Sequence, residues 1–195
     1  MDFYEVVRKR RMVRNFTGEP VDPAALERIL EAAQHGPSAG FTQGQDFIVV
    51  TDAQMKARLA ALCGEDDYVE GGFDPFISKG AVLIVPCTSE HAYHQRYQQP
   101  DKTDDEGNEI DWPVPYWHVD MGHAMMLLLL AVVEEGLAAA YAGFFGDLND
   151  ARAALGVPAE VTPIGVVSIG HAAPDKRSPS LKRGRRTDHI HRERW

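Results

Sequence analysis

The sequence predicts a single α+β domain, and three observations carry that expectation. Its 195 residues, 44% hydrophobic and 25% charged, suit one globular unit with enough apolar surface to build a core. The candidate strands do not alternate with helices at the regular βαβ spacing that a doubly wound parallel sheet demands. Asp120 to Glu135 reads as a helix apolar on most faces, through Met125, Met126, Leu127 to Leu130, Val132 and Val133, and such a helix belongs in a core or a subunit interface.

In chain order, Asp2 caps a first helix that carries Phe3, Val6 and Val7 and ends near a run of arginines. A turn at Thr17-Gly18-Glu19-Pro20 leads to Asp22-Pro23, which opens a second helix with Leu26, Ile29, Leu30 and Ala33 at helical spacing. Gly36-Pro37 stops it, and Ser38 to Gln45 reads as a loop. Phe47–Val50 and Val82–Val85 are expected as strands, with a helix from Ala53 to Leu62 between them. From His94 to Pro115 the chain is polar, acidic and broken by Pro100, Gly107, Pro113 and Pro115. The expectation there is a lid or a disordered insertion. Strands at Leu137–Phe145 and Ile164–Ile169 flank a short helix, Leu148–Leu155. The tail from Ala172 is rich in Pro, Ser and Arg without apolar periodicity, so it has to lean on something other than itself.

The charge is unevenly spread. The chain carries −9 in all, which argues against general nucleic-acid binding. Residues 1–16 carry +3 and residues 171–195 carry +5, which leaves −17 for the body between them. One reading is that both termini are merely solvated. The other is that both converge on one small anion, since the guanidinium fork matches phosphate bidentately. Cys63 and Cys87 lack CxxC spacing and suggest neither a disulfide framework nor a zinc site. No apolar signal core opens the chain, and the run Ala124–Val133 is far short of the roughly 20 residues a membrane span needs. The expectation is a soluble, cytoplasmic protein.

Specific chemistry enters at Arg10-Arg11-Met12-Val13-Arg14-Asn15-Phe16 and Pro37-Ser38-Ala39-Gly40-Phe41-Thr42-Gln43. An R-R-x-x-R-x-F element followed by a P-S-x-x-x-x-Q loop resembles the FMN-binding pattern of the nitroreductase-like family. Gly136 to Gly143 is similar to that family's strand beside the flavin, Ile164 to Gly170 to its last core strand, and Lys182-Arg183-Gly184-Arg185-Arg186 to its closing phosphate clamp. The resemblance implies a three-layer domain with a central, mostly antiparallel sheet flanked by helices. It also implies an intertwined homodimer with an extended tail at residues 172–195, while the polar stretch read above, taken with its flanking aromatic residues, makes 94–118 a lid-like insertion.

Taken residue by residue, the resemblance implies that FMN is held by Arg10, Arg11, Met12, Arg14, Arg183 and Arg185. Arg14 faces the flavin pyrimidine, where positive charge stabilises the anion that develops on reduction. Pro37, Ser38 and Ala39 come from the partner subunit and cross the ring. Tyr141, Ala142 and Gly143 run beside it through their backbone. The implied reaction is ping-pong: NAD(P)H visits as a transient hydride donor and a small electrophilic acceptor follows, a nitroaromatic, quinone or activated alkene. No amino-acid nucleophile is required, and no Rossmann G-x-G-x-x-G is needed for a nicotinamide that only visits.

Two departures touch the acceptor. Phe41 stands where many family members have Asn, and Gln43-Gly44 replaces Gln-Pro. Phe41 with Trp112, Tyr116 and Trp117 forms a candidate aromatic lid, although these last three equally suit an anchor of the insertion on the core. An oxygen-using flavin enzyme, by flavin fragmentation of the dimethylbenzimidazole-forming kind or by substrate oxidation, stays open, as does a non-catalytic flavin- or anion-binding protein. The pairs His91/His94 and His118/His123 lack an H-E-x-x-H pattern, and no metal is expected.

Overall fold

The structure is a computed structural model that describes residues 1–195. Helix α1 (Phe3–Lys9) is capped by Asp2, whose carboxylate accepts the N–H groups of Tyr4 and Glu5. Asp22 caps α2 (Pro23–Gln34) in the same way. Next come β1 (Gln45–Val50), α3 (Ala53–Leu62) and α4 (Glu65–Glu70). The middle of the chain holds β2 (Val82–Thr88), α5 (Glu90–Tyr97) and α6 (Tyr116–Glu134). The last third holds β3 (Ala138–Ala142), α7 (Leu148–Leu155), β4 (Thr162–Pro163) and β5 (Val166–Gly170).

The five strands form one antiparallel sheet in the order β1-β2-β5-β3, with β4 also on β2. Strand side chains alternate between faces, and here both faces are apolar. On one face Val82, Ile84, Val167, Ile169 and Ala139 pack with Ile29 and Ala33 of α2 and Leu128 and Val132 of α6. On the other, Leu83, Val85, Ala140 and Val166 pack with Leu59 and Ala60 of α3 and with Phe76. Two helical layers thus enclose the sheet, in agreement with the three-layer α+β expectation. Ala25, Ile29 and Ala33 are buried at i, i+4 and i+8 and form the core stripe of α2. Gly36 ends that helix against Ala124 of α6, where a Cβ would lie 2.8 Å from the alanine methyl.

Several boundaries differ from expectation for identifiable reasons. β2 runs through Pro86 to Thr88, although a proline argues against a central strand. The carbonyl of Pro86 accepts Ile164 N–H at 3.0 Å, so its missing donor points toward the break between β4 and β5. The carbonyl of Ile164, which that donor would have met, accepts the Tyr141 hydroxyl at 2.6 Å instead. β3 stops at Ala142, opposite Val166, and the N–H groups of Phe145 and Gly146 turn to the carbonyl of Leu62.

Helix α5 forms where a loop was expected, because Ser89 accepts Ala92 N–H and caps it. α6 begins four residues early, at Tyr116. With 19 residues and a mean hydropathy of 1.4, α6 is long and apolar enough to cross a membrane by length and composition alone. Here Met121, Leu128 and Val132 are fully buried within the fold instead.

Candidate functional site

Beyond α1 the chain straightens. Met12 bridges Ala139 of β3, and Val13 N–H donates to the carbonyl of Ala139 at 2.9 Å. Val13 and Phe16 are buried and fasten this segment to the core. The start of the tail then zips against it. Thr17 N–H donates to His171 O (3.0 Å), Ala173 N–H to Asn15 O (3.1 Å), and the Asn15 amide to Pro174 O (2.9 Å).

Asp175 completes the join. Its carboxylate accepts Nη1 of Arg11 at 2.8 Å and the backbone N–H of Arg14 at 3.2 Å, and its side chain is 5% exposed. Lys176 is tied to the carbonyl of Gly71 at 2.7 Å. The two basic chain ends are therefore held side by side, and they line one cavity of about 410 Å³. Arg8, Arg10, Arg11 and Arg14 come from one end and Arg177 and Arg185 from the other.

Two of these cations are already engaged or caged. Arg11 is ion-paired to Asp175. Arg14 lies over the faces of Phe73 and Phe76, 5.4 and 5.8 Å from the ring centroids, an arrangement that favours a cation. Its Nε is buried and has no hydrogen-bond partner. A buried donor left unpaired costs about 1–3 kcal/mol, more when charged. Arg8 and Lys9 also sit in the last turn of α1, where the helix dipole favours positive charge.

The remaining predicted residues divide into three places. Met12 lines the cavity, and its sulfur faces the N–H of Tyr141 at 3.4 Å. Tyr141, Ala142 and Gly143 lie at the end of β3, the last strand of the sheet order, and the Tyr141 hydroxyl donates to Ile164 O at 2.6 Å. Burial raises the pKa of that phenol, so it stays a neutral donor. Arg185 lines the cavity, whereas Arg183, in the 3₁₀ turn Pro179–Arg183, does not.

Pro37, Ser38 and Ala39 are not among the cavity's lining residues. Ser38 Oγ accepts Gln43 N–H at 2.9 Å, and Ala39 N–H donates to Asp120 of α6 at 2.8 Å. Within one chain, then, the loop and the arginines do not form one site. Phe41 is 77% exposed at the loop tip.

Trp112, Tyr116 and Trp117 gather with Tyr93, His94 and Tyr97 of α5, with Trp112 4.6 Å from Tyr97 between ring centroids. Glu109 accepts from the Trp112 indole and meets His94 Nδ1 at 2.7 Å. Thr88 donates to the carbonyl of Trp117. The insertion is pinned to the fold by this cluster.

Asp175, Arg177, Phe73 and Phe76 escaped the reading of the sequence. Asp175 did leave a trace, as the only carboxylate between His171 and Thr187. The phenylalanines left none, since their meeting with Arg14 is purely tertiary.

A family model described as "Nitroreductase family" matches residues 7–171. A relative from Archaeoglobus fulgidus named "Putative NADH dehydrogenase/NAD(P)H nitroreductase" is 24% identical over 98% of this chain and 97% of its own length. Among solved structures, Bacillus megaterium NfrA1 superposes with a TM-score of 0.78 at 22% identity, covering 100% of this chain and 75% of that one. An iodotyrosine deiodinase bound to FMN and 3-iodo-L-tyrosine superposes with a TM-score of 0.73 at 20% identity, covering 99% of each chain.

Proposed function

The chain belongs to the nitroreductase family of oxidoreductases, and from that premise we propose that it is an FMN-dependent enzyme in which NAD(P)H drives reduction of a small electrophilic acceptor. Nitroaromatics, quinones and activated alkenes are the acceptor classes. The observation that carries the reading is the Nε of Arg14, buried and unpaired beside a cavity lined by arginines from both chain ends. An unpaired buried guanidinium donor is a cost unless a ligand acceptor meets it.

The residues present fit FMN. Arg10 and Arg185 are proposed to grip the phosphate, with Arg183 closing over it from the tail. Charge-assisted forks of this kind are the strong hydrogen bonds of phosphate recognition. Arg11 acts through Asp175, which fixes the tail and the backbone of Arg14 together. The head of Arg14 is directed to the pyrimidine end of the ring, caged by Phe73 and Phe76. Met12 and the end of β3 form the wall along the ring, where Tyr141, Ala142 and Gly143 present backbone groups.

When bound, the flavin supplies hydride transfer in both directions. The chain's own contribution is placement, positive charge near the ring and exclusion of water.

A homodimer completes this site in the proposed reading. Phe3, Tyr4 and Val7 of α1 and Val119 and Met126 of α6 are exposed apolar residues that a second copy would cover. That copy brings Pro37, Ser38 and Ala39 to the ring. The whole chain is proposed to be one domain acting in the cytoplasm, with residues 94–118 as the insertion beside the site and 172–195 as a tail whose start, Ala173 to Lys176, is fastened to its own chain and whose end reaches the partner.

The test is purification with and without added FMN, followed by absorbance and NADPH or NADH oxidation with a nitroaromatic acceptor. The reading expects about one FMN per chain and acceptor-dependent oxidation of at least one nicotinamide. A chain that binds no flavin, or a bound flavin that neither nicotinamide reduces, would contradict it.

A further inference from the structure

The loop after α2 is built against its own backbone preferences. Gly40, Phe41 and Gln43 have φ of 60°, 55° and 54°. Glycine adopts that left-handed region freely, whereas Phe and Gln do not. Such residues persist only where the surroundings over-determine them.

The surroundings here are two charged side chains and one ring. Asp120 of α6, 5% exposed, accepts Ala39 N–H and the Tyr93 hydroxyl on the same oxygen, each at 2.8 Å. Arg96 of α5 donates from Nε to the carbonyl of Gly40 at 2.9 Å, while Asp101 holds its other nitrogens at 2.6 and 2.8 Å. The Tyr97 ring closes the third side, so near that a Cβ on Gly40 would lie 2.7 Å from it. The product of these contacts is Phe41, strained and 77% exposed. A large aromatic side chain is ordinarily buried. One held outward by a buried carboxylate and a clamped guanidinium is a surface kept for contact.

We propose that Asp120 and Arg96 are positioning residues for the acceptor step: they lock the Ser38–Thr42 loop so that Phe41 offers its ring to a flat, aromatic acceptor at the neighbouring subunit's flavin. This rests on the flavoenzyme reading above and adds the acceptor class and the residues that select it. Aromatic acceptors gain a stacking partner in Phe41; compact, non-aromatic acceptors gain nothing from it. The segment around α5 thereby acts as a buttress beneath the loop.

The test uses the FMN-loaded full-length protein and four variants. Arg96→Met keeps the apolar stem and removes the donor. Asp120→Ala removes the acceptor, whereas Asp120→Asn keeps one oxygen for both hydrogen bonds and is the conservative rescue. Phe41→Asn tolerates a positive φ and deletes the ring. Amide exchange of the peptide spanning Ser38–Gln45 is measured first, without turnover.

Arg96→Met and Asp120→Ala are expected to exchange there about tenfold faster, and Asp120→Asn and Phe41→Asn close to wild type. Stopped-flow reoxidation of the reduced protein by a nitroaromatic is then compared with reoxidation by a small activated alkene. The nitroaromatic-to-alkene ratio is expected to fall about tenfold in Arg96→Met, Asp120→Ala and Phe41→Asn, with recovery in Asp120→Asn. The acceptor KM is expected to rise while the donor KM stays near wild type.

If Asp120→Ala does not fold, Arg96→Met and Phe41→Asn still decide the matter. Faster loop exchange with an unchanged acceptor ratio overturns the inference alone. A wild-type chain that holds no flavin overturns both it and the flavoenzyme reading.

Discussion

Asp175 binds the side chain of Arg11 and the backbone of Arg14 with one carboxylate, joining a residue of the tail to two residues 164 and 161 positions earlier. This contact turns two basic ends of an acidic chain into one lined cavity. It also explains why a lone carboxylate stands at the head of the basic tail.

Asp175→Ala should therefore weaken FMN binding although Asp175 is a poor partner for any phosphate. Loss of a charged, largely buried acceptor costs about 1.5–3 kcal/mol, so the FMN dissociation constant is expected to rise roughly ten- to a hundredfold. Fluorescence titration of FMN into the apo-protein measures it. An unchanged affinity would mean that the tail is placed by other contacts.

Arg14 should separate stability from function. Its cage over Phe73 and Phe76 contributes about 0.5–2 kcal/mol, which is offset by the cost of about 1–3 kcal/mol for leaving the buried Nε unpaired. Arg14→Met is thus expected to leave the apo-protein as stable as wild type or slightly more so, while the rise in Tm on adding FMN shrinks. Thermal melts with and without FMN check both halves. A strongly destabilised apo-variant that keeps its FMN response would refute this account of Arg14.

The fold was largely legible because its elements carry local signals. Asp2 and Asp22 announce α1 and α2, and the apolar run through Leu130 announces α6. What was illegible depended on partners distant in sequence. Pro86 reads as a strand breaker until the break between β4 and β5 is seen opposite it. His94 to Pro115 reads as structureless because Trp112 and Trp117 find their partners only on α5. At the site, the arginines were readable as a pattern. Their convergence was one of two readings, but what holds them together was not legible, since it depends on Asp175 and on the pairing of residues 15–17 with 171–173.

Leu128, fully buried between α6 and the sheet, tests the packing itself. Leu128→Ala is expected to cost about 2–5 kcal/mol in chemical denaturation, transfer and cavity terms together. A loss below about 1 kcal/mol would mean that this face of α6 is not the core face.

The insertion should respond to pH through His94 and Glu109. The hydrogen bond to Glu109, helped by Glu90, raises the pKa of His94 above its ordinary 6.5. Burial opposes ionisation of Glu109, but hydrogen bonds from Trp112, His94 and Gln98 hold its pKa below the usual value. The His94 contribution is present below pH 6.5 and is lost as pH rises through the raised value. The Glu109 contribution is lost as pH falls through the lowered one. The Trp112–Trp117 cluster is thus expected to be tightest between these limits and to loosen on the alkaline side first. Tryptophan fluorescence against pH reports it, and Glu109→Gln should return the alkaline midpoint toward 6.5.

The central claim is that both chain ends grip one phosphate. Comparing FMN with riboflavin, which lacks only that group, tests it most directly. Equilibrium titration of the full-length apo-protein is expected to show FMN at least about a hundredfold tighter, with the advantage shrinking as salt rises and vanishing when residues 172–195 are removed. Equal affinity for the two flavins, or an undiminished preference in the truncated chain, would contradict it.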